Sequence, residues 1–157
     1  SLRVNELSFR GRLSENLAAW EMVRTHPVFG VGLNSYSYLF GQYAQIHGIA
    51  LEAAEREPHN LYLEVLAETG MVGFILFAVL LRTTFKSVLR ARKRLLEFKL
   101  FDYANMVTGF GLGLFGYLTA SMFVHGAFAR YMYLLLGIGL SLPLVVNNIL
   151  SVKLADK

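Results

Sequence analysis

Two long stretches of the chain carry no charged side chain. Residues 104–124 and 131–152 hold 21 and 22 uncharged, mostly apolar residues, and about 20 such residues cross a bilayer as a helix. A third uncharged stretch, 70–81, follows two glutamates and precedes Arg82 and Lys86. Because these two side chains can extend toward the head groups, the pattern predicts three transmembrane helices, at about 69–88, 104–124 and 131–152.

The residues before the first predicted span follow helical periodicity. One apolar face recurs up to Pro27, where the helix should end, and a second, aromatic face recurs after a glycine-rich turn at 29–32. We expect the aromatic face to lie at the bilayer interface, and a third helix to begin at Pro58 and continue into the first span. The first face comprises Leu13, Leu17 and Trp20, and the second comprises Tyr36, Leu39, Phe40, Tyr43 and His47.

Composition agrees with a membrane protein and narrows the chemistry. Hydrophobic residues make up 55% of the 157 residues, charged residues 17%, and the mean hydropathy is +0.45. Cysteine is absent, which excludes disulfides, a thiolate nucleophile and a cysteine-based zinc site. The four histidines contain no His-x-x-x-His pair, so no metal site is predicted. The opening residues show no targeting signal, and the chain resembles the C-terminal piece of a longer protein.

Charge placement predicts the orientation. Residues 82–99 carry seven basic residues and one acid, whereas residues 1–68 carry five basic residues and eight glutamates. Short basic loops lie on the cytoplasmic side. We therefore expect an outer helical region at 1–68 and a transmembrane region at 69–157, with a cytoplasmic basic loop at 89–103. The short, juxtamembrane cationic run argues against nucleic-acid binding.

The stretch from Pro58 to Gly73 is the strongest candidate for chemistry. It places His59 in the predicted first turn of a helix, where unpaired backbone N–H groups favour anions and disfavour an imidazolium. A neutral His59 beside an anion site would suit a general base working next to a phosphate. The alternative is that His59 and Asn60 only cap a helix that enters the membrane.

Several motifs resemble one family. His59-Asn60, followed after nine residues by Gly70-x-x-Gly73, is similar to the signature of the O-antigen ligase and O-antigen polymerase superfamily of bacterial membrane glycosyltransferases. The order of the other motifs is also that of the family and extends over nearly the whole chain. These motifs are Gly11-Arg12 with Trp20, His26-Pro27-Val28-Phe29-Gly30-Val31-Gly32, Phe123-Val124-His125-Gly126 and Arg130-Tyr131-Met132-Tyr133 with Gly137.

The resemblance implies an all-α, polytopic membrane glycosyltransferase of the GT-C-like type, of which this chain supplies the C-terminal part. Such an enzyme transfers a glycan from an undecaprenyl-diphosphate carrier to lipid A-core or another surface acceptor. Attack by the acceptor hydroxyl in a single in-line displacement would invert the anomeric centre. The transfer takes place on the periplasmic face of the bacterial inner membrane, without a metal or other cofactor. It implies that the motif histidine, His59, is essential and that a loop arginine, Arg12, binds the diphosphate, so these two are the predicted catalytic residues. Arg24, Asn60, His125 and Arg130 are the predicted substrate-binding residues, because their charge or their place on the outer side would let them reach the same site. Its partners would be the lipid-linked glycan, a lipid or glycan acceptor, membrane lipids and the N-terminal transmembrane part of the same protein.

Other functions remain open at this stage. A polymerase that joins lipid-linked repeats would carry the same motifs. A polysaccharide transporter subunit would also use outward arginines and glycine-rich spans, and an inert membrane anchor would not need His59. Gly109 and Gly113 form a small-xxx-small pair that predicts close helix packing rather than chemistry.

Overall fold

The computed structural model is helical in every regular element that it describes. It describes residues 2–46, 59–123 and 129–155, with side chains for 11–46, 59–123 and 131–153. The all-helical class predicted from the sequence is confirmed over these residues. The elements are α1 (Leu2–Thr25), α2 (Tyr36–Ile46), α3 (Leu61–Glu97), α4 (Phe101–Ala120) and α5 (Ala129–Ala155).

The chain forms two compact units. The first comprises residues 1–77 with 119–127, and the second comprises 78–118 with 128–157. In the first unit, α1 presents small residues to its neighbours, and Ala18, Ala19 and Met22 are fully buried. They pack against Tyr36 and Phe40 of α2. Short side chains on α1 allow the aromatic rings of α2 to approach its backbone closely.

The apolar faces of α1 and α2 lie in different surroundings. On α2 the aromatic face was predicted to lie at the bilayer interface, but it lies in the core of the unit, since Tyr36 and Phe40 are buried there. On α1 the face that showed helical spacing is exposed, since Leu13 is 42% and Trp20 is 60% accessible, and the opposite face of small residues is buried. Burial in this unit therefore follows the fit between the two helices.

Helix α3 is broken at Gly70, which has φ 64° and ψ −167°. The turn between α1 and α2 lies across the break and satisfies both broken ends. Val31 N and Gly32 N donate to the carbonyls of Ala67 and Glu68, at 3.0 and 2.9 Å. On the other side, Met71 N and Val72 N donate to Pro27 O and Val28 O, at 2.9 and 3.2 Å. Interrupting a helix leaves such groups without intrahelical partners, and here the turn supplies them.

In the second unit, residues 78–97 of α3 pack with α4 and α5. The core cluster consists of Val88, Ala91 and Leu95 of α3, Ala104 and Val107 of α4, and Val146 and Leu150 of α5. α3 stays helical to Glu97, and a short turn containing Lys99, with φ 57°, leads into α4 at Phe101. The predicted basic loop at 89–103 is therefore largely helix, because apolar residues at helical spacing lie between its charges.

Two of the described helices are long and apolar enough to cross a membrane. They are α3 and the Tyr131–Lys153 part of α5, and only 22% of the most apolar window of each is buried. Their apolar side chains thus face outward, as a lipid environment would favour. The predicted span at 104–124 is not among them, since Asn105 and four glycines lower the hydropathy of α4. Three spans are therefore not confirmed.

The glycine pair Gly109 and Gly113 does not mark a close helix contact among the described residues. A Cβ added at either position would meet nothing within 4 Å. Close approach occurs instead at Gly111, where an added Cβ would lie 3.1 Å from Val88, and at Gly139, which faces Thr84.

Candidate functional site

The site begins at the N-terminal end of α3, where Asn60 is the capping residue. Its side-chain carbonyl accepts hydrogen bonds from Tyr62 N at 3.0 Å and from Leu63 N at 3.2 Å, which is the geometry of an N-cap. The helix begins at Leu61, so His59 precedes the first turn and does not lie within it as predicted. Pro58 lies outside the described residues. Asn60 caps the helix, and the His59 side chain forms a different contact.

That contact is with Glu15 of α1. His59 Nδ1 lies 2.7 Å from Glu15 Oε2. The Glu15 side chain is 3% exposed, whereas the His59 side chain is 39% exposed. A carboxylate can only accept at this distance, so Nδ1 carries the proton. In the neutral ring, Nε2 is then the proton acceptor.

Tyr36 of α2 contacts the backbone of Glu15. Its phenol donates a hydrogen bond to the backbone carbonyl of Glu15, at 2.7 Å. Burial, followed by the negative charges of Glu15 and Glu64, raises the pKa of Tyr36 above its usual range. The phenol is therefore a permanent donor, and it fixes the turn of α1 that carries Glu15.

Glu68 joins the first half of α3 to the start of α2. Its carboxylate accepts from Asn34 N at 3.0 Å and from Tyr36 N at 3.1 Å. A negative group at a helix N-terminus stabilises the helix. Since Glu68 directly precedes the break region of α3, it ties the position of Tyr36 to the geometry around Gly70.

The break requires glycine on both of the segments that meet there. A Cβ on Gly70 would collide with the carbonyl of Val28 and with Gly30 N, and a Cβ on Gly30 would collide with the backbone of Glu68. Gly70 also has dihedral angles that are essentially restricted to glycine. The two glycine motifs noted in the sequence are therefore halves of one backbone contact.

Arg12 and Arg24 have different positions on α1. Arg12 lies one turn before Glu15 and is exposed; among the described side chains it forms no ion pair or hydrogen bond. Arg24 is about 18 Å farther along the helix axis, with its side chain 77% exposed and 3.9 Å from Glu21. The structure thus places Arg12 near the Glu15 turn and separates Arg24 from it.

Comparison with protein families identifies the first half of the chain. The O-antigen ligase family model matches residues 3–78, just under half of the chain. Over this segment the chain is similar to the O-antigen ligase family. The resemblance inferred from the motifs is confirmed, and it indicates ligase- or polymerase-type activity in a membrane protein. Comparisons with curated proteins and with solved structures gave no match.

The segment that matches the O-antigen ligase model contains the whole contact set described above. Glu15, Tyr36, His59 and Gly70 all fall within residues 3–78. Glu15 is the residue that the sequence interpretation missed, since it is one of eight glutamates before residue 69. Its place on the small-residue face of α1, with Ser14 and Ala18, was the feature of the sequence that could have indicated its burial.

Some predicted site residues cannot be placed relative to the O-antigen ligase segment. His125 and His47 lie outside the described residues, and Arg130 is described only as part of α5, without its side chain. His26 is described, and its Nδ1 lies 3.0 Å from Thr25 Oγ1 at the exposed end of α1. Among the described residues, no group of three His, Asp or Glu side chains could hold a metal ion.

Proposed function

We propose that this protein transfers a glycan from an undecaprenyl-diphosphate carrier to an acceptor hydroxyl on the periplasmic face of the bacterial inner membrane. The observation that supports the proposal most strongly is the 2.7 Å contact between the exposed imidazole of His59 and the buried carboxylate of Glu15. A histidine oriented through Nδ1 by a buried carboxylate is the arrangement of a general base. The family match supplies the reaction class.

In the proposed mechanism, His59 Nε2 accepts the proton of the acceptor hydroxyl. The hydroxyl oxygen forms a bond to the anomeric carbon, and the bond from that carbon to the diphosphate oxygen breaks. The electron pair leaves with the carrier diphosphate, and this single displacement inverts the anomeric centre. Glu15 holds the ring and stabilises the imidazolium that forms, as a carboxylate does in other histidine-based sites.

Arg12 is assigned to the carrier diphosphate. Its guanidinium offers planar, permanently charged donors that match phosphate oxygens. It is exposed and close along α1 to Glu15, so one ligand can contact both Arg12 and His59. The proposal assigns no role to a metal ion, and charge on the leaving group is neutralised by arginine.

The test uses the full-length protein in a strain that lacks its own O-antigen ligase. We expect wild type to restore glycan transfer to lipid A-core, and His59→Ala to abolish it, since base catalysis contributes about 10²–10⁴-fold. His47→Ala is the matched control and should transfer normally. Gels of surface glycan report the outcome, and immunoblots of membrane fractions report insertion.

A His59→Ala protein that inserts normally and transfers glycan at the wild-type level would contradict the proposal. Restoration of a polymerase-null strain, without restoration of the ligase-null strain, would assign the protein to the polymerases instead. Both results are read from the same gel.

A further inference from the structure

Four basic side chains form a stripe along α3. Arg82, Lys86, Arg90 and Lys93, called here the α3 stripe, are spaced so that they lie on one side of the helix. All four are exposed. Among the described side chains the first three form no ion pair, and Lys93 Nζ lies 4.0 Å from Glu97 Oε1. The opposite side of the helix is buried in the core cluster of the second unit.

Contacts within the second unit show which residues of α5 lie beside the stripe. An added Cβ on Gly139 would lie 3.6 Å from Val88 and would also contact Thr84. Leu95 shares a cluster with Val146 and Leu150. The two helices therefore run parallel, with residues 84–95 of α3 beside residues 139–150 of α5. The α3 stripe therefore lies at the same height as this part of α5.

This part of α5 belongs to an apolar candidate span. The candidate span Tyr131–Lys153 has 23 residues and is about 35 Å long as a helix, with no charge before Lys153. Lys86 lies between Thr84 and Val88, beside the middle of that span. This places it about 15 Å or more from either end. When α5 crosses the bilayer, Arg82, Lys86 and Arg90 therefore lie within the thickness of the membrane.

Charges at this depth require an anionic or polar partner. The described acids of the second unit are Glu97 and Asp102, and both lie beyond the Lys93 end of the stripe. The exposed side of the helix also carries apolar residues, since Val79 is 51% and Leu89 is 63% accessible. The surface therefore combines a row of cations with neighbouring apolar side chains.

We propose that the α3 stripe binds the phosphate headgroups of anionic phospholipids inside the membrane, entering along α3 from the leaflet at its Lys93 end. Arginine and lysine both bind phosphate, and the acyl chains would cover Val79 and Leu89. A phospholipid supplies both parts of this surface in one molecule. The binding goes beyond glycan transfer and does not depend on the role of His59.

The test measures lipid selectivity of the full-length protein in phosphatidylcholine bilayers, without a glycan donor. Chain-spin-labelled phosphatidylglycerol and phosphatidylcholine are compared by electron spin resonance, which reports the relative association of each lipid with the protein. We expect phosphatidylglycerol to be preferred about fivefold. The triple variant Arg82→Gln, Lys86→Gln, Arg90→Gln should reduce the preference to near parity, and glutamine maintains the helix well.

The matched control removes three charges that lie off the stripe, through Arg92→Gln, Arg94→Gln and Lys99→Gln, and should keep most of the preference. Equal losses in both variants, or an unchanged preference in the stripe variant, would overturn the proposal. A headgroup-photoreactive phosphatidylglycerol tests wild type directly. Crosslinks within residues 82–90 are expected, and crosslinks confined to residues 97–99 would contradict membrane-depth binding.

Discussion

Glu15 shows how burial gives a common residue a specific role. The chain has nine glutamates, yet the carboxylate of Glu15 is nearly inaccessible and contacts His59 at 2.7 Å. His59 and Asn60 could be found from the sequence, because their spacing to two glycines forms a motif. Glu15 could not, since its contact joins residues 44 positions apart and no local pattern encodes such a pair.

At the residue scale, Arg12 offers a test of phosphate recognition. We expect Arg12→Lys to lower kcat/KM for glycan transfer about tenfold or more, since lysine keeps the charge but loses paired, charge-assisted hydrogen bonds. Arg24→Lys is the matched change on the same helix and should cost much less. Transfer kinetics of the purified proteins decide the matter, and equal effects at the two positions would remove the assignment of Arg12.

At the element scale, the broken helix α3 was only partly predictable. The glycines at 30 and 32 indicated a turn, and those at 70 and 73 formed part of a motif in a helix predicted to continue across Gly70. The sequence does not show that the turn at 27–32 lies against a break at Gly70. The buried face of α1 does not follow from its own sequence, for a related reason. Its buried side is chosen by the rings of Tyr36 and Phe40, which need small partners, and not by the hydrophobicity of α1 itself.

The break at Gly70 can be tested by adding a Cβ at that position. Gly70→Ala should destabilise the protein by about 1–3 kcal/mol from backbone strain alone, with a further cost from the collision with Val28 and Gly30. Gly113→Ala is the control, because an added Cβ there meets nothing within 4 Å and alanine favours a helix. Thermal unfolding of the full-length proteins in detergent should show a lower Tm for Gly70→Ala alone. Equal Tm values would show that the break is not required.

At the scale of the whole molecule, hydropathy predicted a membrane protein correctly but not the set of spans. α3 qualifies as a candidate span although charges border its uncharged centre, while α4 does not. Helix packing also determines which residues of α3 lie beside which residues of α5, and the sequence pattern does not show this. The cations of α3 lie beside the apolar middle of α5 because of helix register, whereas the sequence pattern predicts Arg82 and Lys86 at the end of a span and Arg90 and Lys93 in the loop after it.

The orientation across the membrane can be tested by cysteine labelling, since the natural chain contains no cysteine. We expect an impermeant thiol reagent to label Arg24→Cys in intact cells, because Arg24 is exposed in the unit assigned to the periplasm. Glu97→Cys should be labelled only after lysis, since Glu97 ends α3 on the basic side. Labelling of Glu97→Cys and not of Arg24→Cys in intact cells would reverse the topology.

If Glu15 acts through His59, the two residues will behave as one unit in a double-mutant cycle. Turnover of purified full-length protein is compared for wild type, Glu15→Gln, His59→Ala and the double variant. We expect His59→Ala to lose about 10²–10⁴-fold in kcat, and Glu15→Gln to lose less. Because residues that act as a unit are non-additive, the double variant should be no slower than His59→Ala. Losses that multiply would show that Glu15 and His59 act independently and would contradict the account.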